Sequence, residues 1–244
     1  MESYNEATYG ERIAGVYDEL YGTYDESVIA TLADLAHGGR ALELGIGTGR
    51  IALPLQQRGV QVSGVDASPA MVERLRAKPG GQSIPVAFGD FADVPVPGEF
   101  SLIFVVFNTF YALLTQEKQI QCLTNVAQHL TAEGVFVIEA FVPDMARYRA
   151  RQNMQVIGIS ENEVRFDAAQ VDPVNQVVIA QHVHLSEAGV RLYPVKLRYV
   201  WPSELDLMAR LAGLRLQQRW SNWQGAAFTA DAGKHVSVFG LATA

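Results

Sequence analysis

The sequence ALELGIGTG, residues 41–49, carries the strongest structural signal in this 244-residue chain. Its first four residues are apolar except for Glu43, which is typical of a short buried strand. The three alternating glycines predict a turn in which the backbone comes close to a ligand. The apolar segment 51–55 then opens a helix, so that backbone N–H groups and a positive dipole end face this ligand. We therefore predict a strand–turn–helix nucleotide site.

The spacing of the glycines separates this site from a dinucleotide site. The dinucleotide fingerprint is G-x-G-x-x-G, whereas this chain has G-x-G-x-G with an acid, Glu43, two residues before the first glycine. Glu43 would repel a diphosphate so close to the turn, but it would attract a ligand that carries a cationic amino group and an adenosine. S-adenosylmethionine is such a ligand.

Four sequence blocks in this order extend the pattern. They cover residues 43–49, 60–68, 88–91 and 100–110. Together they resemble the class I S-adenosylmethionine-dependent methyltransferases. The resemblance implies an α/β fold with a doubly wound, mostly parallel, Rossmann-like sheet of seven strands, whose last strand is antiparallel and lies at the sheet edge. It also implies S-adenosylmethionine as cofactor and S-adenosylhomocysteine as product.

Each block offers a side chain suited to one part of this cofactor. Asp66 follows the second strand, where an acid accepts both ribose hydroxyls. Asp90 could accept the adenine amine, with Phe91 and Met71 packing on the ring, although both also suit ordinary core packing. The residues expected to bind the cofactor are Tyr9, Tyr17, Glu43, Gly45, Gly47, Asp66, Ala67, Met71, Asp90, Phe91 and Phe107.

The pattern divides the chain into four segments. Apolar residues at helical spacing predict one amphipathic helix over residues 11–21, which we expect to lie as a lid over the cofactor. Two turn signals in the region after residue 142 predict an antiparallel β insert of three strands. The expected segments are a lid (1–36), the cofactor-binding core (37–142), the insert, which caps the acceptor (143–201), and the C-terminal helix with the last strands (202–244). The insert strands are placed at about 155–170, 176–185 and 190–200.

The start of the C-terminal helix is predicted from a capping box. Ser203 and Asp206 have the required spacing, and Gly213 is a typical helix stop after Ala212. The last strands are expected at about 214–220 and 235–241.

The lid sequence resembles small-molecule N-methyltransferases, such as the glycine and amino-sugar enzymes. Its segment 17–21, Tyr-Asp-Glu-Leu-Tyr, matches their Tyr-Asp-x-x-Tyr. The resemblance implies that Tyr21 approaches the transferred methyl group and that Tyr9 and Tyr17 contact the methionine end of the cofactor. The alternative is that these tyrosines only pack the lid. The amino-sugar enzymes are expected to have a histidine near Tyr111, and its absence here favours a larger and flatter acceptor.

Three side chains are candidates for a general base. Glu139 is the one acid of an otherwise apolar strand, near the end where substrate binds. Together with Tyr21 it forms the predicted catalytic pair, although a structural hydrogen bond is the alternative for Glu139. His182 and His184 share one face of a predicted insert strand, where a half-exposed, non-catalytic position is the competing interpretation.

Composition excludes several other classes of protein. The net charge of −7 argues against a nucleic-acid acceptor. No run approaches about 18 apolar residues, so no membrane span is expected, and the polar, acidic N-terminus argues against a signal peptide. A single cysteine, Cys122, fits a reducing cytoplasm. No metal-ligand motif occurs in the sequence, and we expect a monomer or a homodimer.

The sequence therefore predicts a cytoplasmic methyltransferase that acts on a small organic molecule in specialised metabolism, with an amine nitrogen as the favoured acceptor. Methylation of oxygen or carbon in an aromatic or hydroxylated metabolite is one alternative. A cofactor-binding scaffold without turnover is another. A nicotinamide-dependent dehydrogenase is disfavoured by the glycine spacing and by the lack of a Tyr-x-x-x-Lys pair.

Overall fold

The computed structural model describes residues 4–242. The N-terminal segment folds into three helices, which are α1 (Thr8–Ile13), α2 (Tyr17–Tyr21) and α3 (Glu26–Leu35). The prediction of one continuous helix over 11–21 is therefore wrong. The chain leaves the helical conformation at Val16, where φ is −126° and ψ is 0°, directly after Gly15. Because the lid is broken there, its two short helices approach the sheet separately.

The next part of the chain alternates strands and helices, as predicted. Its elements are β1 (Arg40–Leu44), α4 (Ala52–Gln57), β2 (Gln61–Asp66), α5 (Pro69–Arg76), β3 (Val86–Phe88), β4 (Phe100–Val105), α6 (Gln116–His129) and β5 (Leu130–Phe141). Apolar clusters cover both faces of the sheet that these strands form, with Phe100 and Phe136 on one face and Phe104 and Val137 on the other. Burial on both faces explains why the strands are almost continuously apolar.

The insert is a separate antiparallel sheet of four strands. These strands are β6 (Gln152–Ile159), β7 (Glu163–Asp172), β8 (Val177–Ser186) and β9 (Gly189–Arg198). The prediction of three strands is wrong because the segment 155–170 contains a tight turn at residues 160–162. The Ser160 N–H donates to the Glu163 carbonyl over 2.9 Å and closes that turn. Three polar residues, Ser-Glu-Asn, were the sequence signal for it.

The C-terminal segment returns to the main sheet through α7 (Pro202–Leu211), β10 (Leu214–Trp220) and β11 (Lys234–Leu241). The predicted capping box is wrong, because α7 begins at Pro202 with Trp201 in the N-cap position. The carboxylate of Asp206 instead accepts from the Arg219 guanidinium over 2.5 and 3.1 Å. The helix ends before Gly213, whose φ of +79° suits glycine, as predicted.

The main sheet has the predicted architecture. Its strand order is β10-β11-β5-β4-β1-β2-β3, and β11 runs antiparallel to both of its neighbours. The last strand lies one position inside the edge, which β10 occupies, and not at the edge itself. The carboxyl ends of β1, β2, β4 and β5 meet along one side of the sheet, which is where ligands bind in folds of this kind.

Among the helices of residues 4–242, none combines the length and the apolar character that a bilayer crossing requires.

Close packing between β2 and the glycine turn makes a side chain at Gly64 unacceptable. A Cβ atom built there would lie 2.4 Å from Cδ1 and 2.6 Å from Cβ of Ile46. We expect Gly64→Ala to lower the free energy of unfolding by about 1–3 kcal/mol, measured by urea denaturation, because the buried neighbour must move. Gly233→Ala is the matched control, since in the described part of the chain no heavy atom lies within 4 Å of its Cβ. Equal stability of the two variants would contradict this packing argument.

Candidate functional site

The glycine turn after β1 brings backbone without side chains at Gly45 and Gly47 to the edge of the sheet. Gly45 and Gly47 have φ of +74° and +54°, in the left-handed region that favours glycine. The N–H groups of Gly45 and Ile46 donate to the Val65 carbonyl over 2.8 and 3.0 Å. A Cβ atom at Gly45 would lie 2.5 Å from Cγ2 of Thr109, so the turn packs tightly against the segment after β4.

The carboxylate of Asp66 connects the ends of β1 and β2. One oxygen accepts from the Gly47 N–H over 2.7 Å, and the other accepts from the Ser68 N–H over 2.8 Å. Burial raises the pKa of Asp66, while these two N–H donors act in the opposite direction. Since each carboxylate oxygen has two lone pairs, each can accept one further hydrogen bond. This leaves Asp66 able to bind a pair of ligand hydroxyls.

Glu43 is a buried acid with one oxygen that lacks a hydrogen-bond partner. The residue is 4 % exposed, and its Oε2 atom has no hydrogen-bond partner among residues 4–242. Burial raises the pKa of Glu43 to about 8, with Arg50 opposing this shift, so the acid is mainly protonated at neutral pH. A cationic ligand group beside Glu43 would favour its carboxylate form.

The opposite end of the site is formed by Asp90, Phe91 and Met71. One oxygen of Asp90 accepts from the Ala92 N–H over 2.9 Å, and the other accepts from Lys118 Nζ over 2.8 Å. Phe91 and Met71 line the cavity and also pack on apolar clusters. Apolar side chains beside a carboxylate suit an adenine ring, and binding of adenine by these residues stays a prediction.

All eleven residues expected to bind the cofactor line one cavity of about 320 Å³ between the sheet edge and the lid. This volume is within the range for small-molecule sites. Sequence reasoning missed other residues that line it, and these include Tyr4, Arg50, Thr109, Leu113 and Lys118. The sequence did contain a signal for two of them, because Arg50 directly follows the glycine turn and Thr109 lies in the segment after β4. Tyr4 and Lys118 reach the cavity only through tertiary packing.

The first lid helix is anchored to the start of α5. Oε1 of Glu11 accepts from Ser68 Oγ over 2.7 Å and from the Ala70 N–H over 3.0 Å. Gly10 lies so close that its Cβ atom would be 2.6 Å from the Ser68 Cβ. Ser68 Oγ also accepts from the Met71 N–H and thereby caps α5, so this one side chain contacts both the lid and α5.

The second lid helix is anchored to the glycine turn. Oδ1 of Asp18 accepts from Thr48 Oγ1 over 2.5 Å and from Lys78 Nζ over 2.8 Å. The Arg50 guanidinium donates to the Tyr21 carbonyl and lies 4.2 Å from the centre of the Phe107 ring. Both lid helices therefore close over the same cavity.

Aromatic side chains of the lid form the wall of the cavity. Tyr17 packs against Tyr21 with 5.2 Å between ring centres, and Tyr21 packs against Phe107 with 5.4 Å. Burial raises the pKa of Tyr9 and Tyr21, and it raises the pKa of Tyr17 to about 12. At neutral pH these phenols are protonated. They donate and accept hydrogen bonds, and they do not act as anionic bases.

Tyr21 and the predicted base Glu139 do not line this cavity within residues 4–242. Tyr21 lines a smaller cavity of about 70 Å³ between α2 and the insert sheet. Glu139 accepts from the Phe107 N–H over 3.1 Å and from Lys234 Nζ over 2.9 Å. The geometry therefore does not support Glu139 as a base. It matches the structural alternative, because Glu139 holds the turn at Phe107 and Asn108, where φ is +57° and +67°.

The two candidate histidines have different surroundings. His182 Nδ1 lies 2.5 Å from Oδ1 of Asp167, and its ring centre is 6.5 Å from that of Tyr9. His184 packs edge-on against Tyr193 with 5.0 Å between ring centres, and burial lowers its pKa. Of the two, only His182 has a carboxylate partner and a contact with the cavity wall in the described residues.

Comparison with known proteins agrees with this geometry. Residues 41–134 match a protein-family model described as a methyltransferase domain. The CcbJ methyltransferase from Streptomyces caelestis is 36% identical and superposes with a TM-score of 0.91, over 98% of this chain and 100% of that chain. The cypemycin N-terminal methyltransferase of a Streptomyces species is 26% identical over 196 residues, which is 79% of each protein.

A structure with bound S-adenosylmethionine has the same fold. It is CalS10, an amino pentose methyltransferase from Micromonospora echinaspora, which is 20% identical with a TM-score of 0.69 over 91% of this chain and 96% of that chain. The matches to a methyltransferase domain and to the CcbJ methyltransferase agree with the predicted cofactor, S-adenosylmethionine. The residues of the cavity fit it, since Asp66 can accept two hydroxyls and Glu43 is an unpaired acid.

Removal of the Asp66 charge tests the ribose position. We expect Asp66→Asn to weaken S-adenosylhomocysteine binding by about 10- to 100-fold, measured by calorimetry, because charge-assisted hydrogen bonds are lost. Asp144→Asn is the matched control. Asp144 also accepts from the backbone N–H two residues ahead, over 3.0 Å, but does not line the cavity in the described structure. Unchanged affinity in Asp66→Asn would remove this residue from the binding site.

Glu43 makes a pH-dependent contribution to stability. Its pKa is about 8 in the folded protein and roughly 4.3 in the unfolded chain, so the folded state binds more protons between these values. The contribution is therefore lost as pH rises from about 5 through 8. We expect Glu43→Gln to flatten the fall of Tm over this range in cofactor-free protein, while exposed Glu133→Gln leaves it unchanged. An identical pH slope in Glu43→Gln and the parent protein would contradict the raised pKa.

Proposed function

We propose that this chain, which belongs to the S-adenosylmethionine-dependent methyltransferases, transfers a methyl group to an amine nitrogen of a small organic acceptor. The aromatic lid wall carries this proposal. Tyr9 and Tyr17 line the donor cavity, Tyr21 lines the neighbouring small cavity, and the phenols of this wall are protonated at neutral pH. Such a wall can accept N–H hydrogen bonds and bind a cationic amine against ring faces.

The residues of the donor cavity have separate roles in this proposal. Asp66 binds the ribose hydroxyls, and Asp90 with Phe91 and Met71 holds the adenine ring. Glu43 and Tyr17 hold the methionine end. When bound, the cofactor supplies an electrophilic methyl group on a sulfonium, whose leaving group needs no proton. The chain contributes by orienting the acceptor lone pair in line with this methyl group and by excluding water beneath the lid.

The chemistry of the wall favours nitrogen over oxygen. An amine with a pKa near 8–10 needs only a weak base to expose its lone pair, whereas a hydroxyl needs a strong base beside the reacting oxygen. Four acidic residues line the donor cavity within the described residues, which are Glu6, Glu43, Asp66 and Asp90. In this proposal all except Glu6 bind the cofactor and do not act as a base on the acceptor. The cypemycin enzyme is named for methylation of an N-terminus, which is also an amine.

The insert sheet borders the acceptor site in this proposal. The small cavity between α2 and the insert is lined by Leu20, Tyr21, Ile157, Phe166 and His182, among others, which include Asp167 and His184. Apolar and aromatic side chains and two imidazoles thus lie beside the lid wall against which the amine binds. The chain has Ala112 on the cavity wall where the amino-sugar enzymes are expected to have a histidine, and this smaller residue leaves room for a larger acceptor.

Product analysis tests the proposal directly. The protein is incubated with S-adenosylmethionine and a panel of primary amines, cyclic secondary amines, phenols and alcohols, and mass spectrometry identifies the methylated atom. We expect N-methyl products. Methylation of phenols or alcohols alone would overturn the choice of nitrogen. Tight S-adenosylhomocysteine binding without any product across the panel would favour a scaffold without turnover.

Tyr21 is the lid residue that tests the acceptor side separately from the cofactor side. We expect Tyr21→Phe to lower kcat about 10-fold and to leave the Kd for S-adenosylhomocysteine unchanged, because its hydroxyl bonds to Tyr9 and lies outside the donor cavity in the described structure. Tyr24→Phe is the control, since Tyr24 is 40 % exposed in the loop after α2. Full activity of Tyr21→Phe would remove this hydroxyl from the reaction.

A further inference from the structure

A histidine–aspartate pair lies on the face of the insert sheet that is turned towards the lid. His182 on β8 and Asp167 on β7 are register partners, and His182 Nδ1 is 2.5 Å from Oδ1 of Asp167. Both side chains are mostly buried. Because the carboxylate accepts the Nδ1 proton, the neutral imidazole has its lone pair on Nε2. The pair is therefore built to receive a proton at a defined atom.

Two lid tyrosines connect this pair with the donor cavity. The hydroxyls of Tyr9 and Tyr21 form a hydrogen bond with each other. Tyr9 lines the donor cavity, and its ring meets the His182 ring edge-on at 6.5 Å. Tyr21 and His182 line the same small cavity of about 70 Å³, which has room for a bridging water. A path of exchangeable protons thus leads from the donor cavity to the insert sheet.

We propose that His182, oriented by Asp167, accepts the proton that the acceptor amine must lose, with Tyr9 and Tyr21 as the relay between them. This inference rests on the proposed function, because an amine bound as an ammonium ion has no lone pair for methyl transfer. Protonated phenols pass a proton on without becoming anionic, since each gives up its own proton as it receives another. In the proposed function, Glu43, Asp66 and Asp90 hold the cofactor, so none of these three carboxyl groups is assigned to accept the proton of the amine.

The proton and electron balance of the reaction is complete with these groups. The ammonium ion gives one proton to Tyr9, Tyr9 gives one to Tyr21, and Tyr21 gives one to the bridging water, which passes one to Nε2 of His182. The freed lone pair on nitrogen forms the new N–C bond. The C–S bond of the donor breaks, and its electron pair stays on sulfur. His182 then returns its proton to solvent, and the product leaves as the methylated ammonium ion.

The charged and titratable groups around His182 come from five elements. They are Asp167 and Arg165 on β7, His184 on β8, Arg191 and Tyr193 on β9, Tyr9 on α1 and Tyr21 on α2. Arg165 is paired with Glu163, with 3.0 Å between Nε and Oε1. Asp167 is the only one of these groups that bonds to the imidazole in the described residues, so Asp167 orients the ring.

The pH dependence of turnover tests the proposal. With an amine from the panel that the parent protein methylates, we expect His182→Asn to lower kcat about 100-fold at pH 7, to move the acid limb of the kcat–pH profile upward, and to leave the Kd for S-adenosylhomocysteine unchanged. His129→Asn is the matched control, since His129 is also partly buried, has its Nδ1 atom 2.7 Å from the Asn125 carbonyl oxygen, and lines neither cavity in the described structure. A parent-like profile in His182→Asn, or equal losses in both variants, would overturn the proposal.

A second readout does not depend on the acceptor. In protein with labelled histidines and bound S-adenosylhomocysteine, we expect NMR to show the Nδ1–H tautomer for His182, and we expect Asp167→Ala, which removes the acceptor, to lower the fraction of this tautomer. The Nε2–H tautomer in the parent protein, or an unchanged tautomer ratio in Asp167→Ala, would overturn the orientation by Asp167. If the parent protein methylates only oxygen, the proposed function fails. If it methylates amines and His182→Asn is unaffected, this inference alone fails.

Discussion

The carboxylate of Asp66 is the constraint on which the rest of the site depends. By accepting from the Gly47 and Ser68 N–H groups, it fixes the glycine turn relative to the end of β2. The glycine turn also fixes the position of Thr48, whose hydroxyl donates a hydrogen bond to Asp18 of the lid. One acid on the second strand therefore positions the backbone of the glycine turn and, through Thr48 and Asp18, the lid over the cavity. Loss of this carboxylate would disturb both layers together.

The contacts that hold the lid on the core differ in kind from those between the lid and the insert. Glu11 holds the first lid helix on the start of α5, and Asp18 holds the second on the glycine turn, so the donor cavity is closed by ion pairs and hydrogen bonds. The insert meets the lid through the rings of Tyr9 and His182 and through apolar contacts. Donor binding is thus built from polar, directional contacts, whereas the acceptor side is built from aromatic surfaces that tolerate different shapes.

The electrostatics of the site follow from burial. Glu43 and the lid tyrosines have raised pKa values because the cavity is poorly solvated, and this keeps the phenols neutral. Glu43 Oε2 is a buried acid oxygen without a hydrogen-bond partner in the described residues, and Glu43 lies at the wall of the cavity. A buried polar atom without a partner costs stability.

Local sequence was sufficient to bring the glycines, Asp66 and Asp90 to one cavity, because they follow buried strands directly and a parallel sheet brings all its strand ends to one edge. Local sequence did not show the contacts in which a distant residue supplies the partner. Arg219 takes Asp206 from its capping role, while Lys234 and the Phe107 N–H bind Glu139, whose role as base stays a prediction. The His182–Asp167 pair likewise exists only through the register of β7 and β8. Propensity and spacing act within a few residues, whereas these contacts depend on how the layers pack.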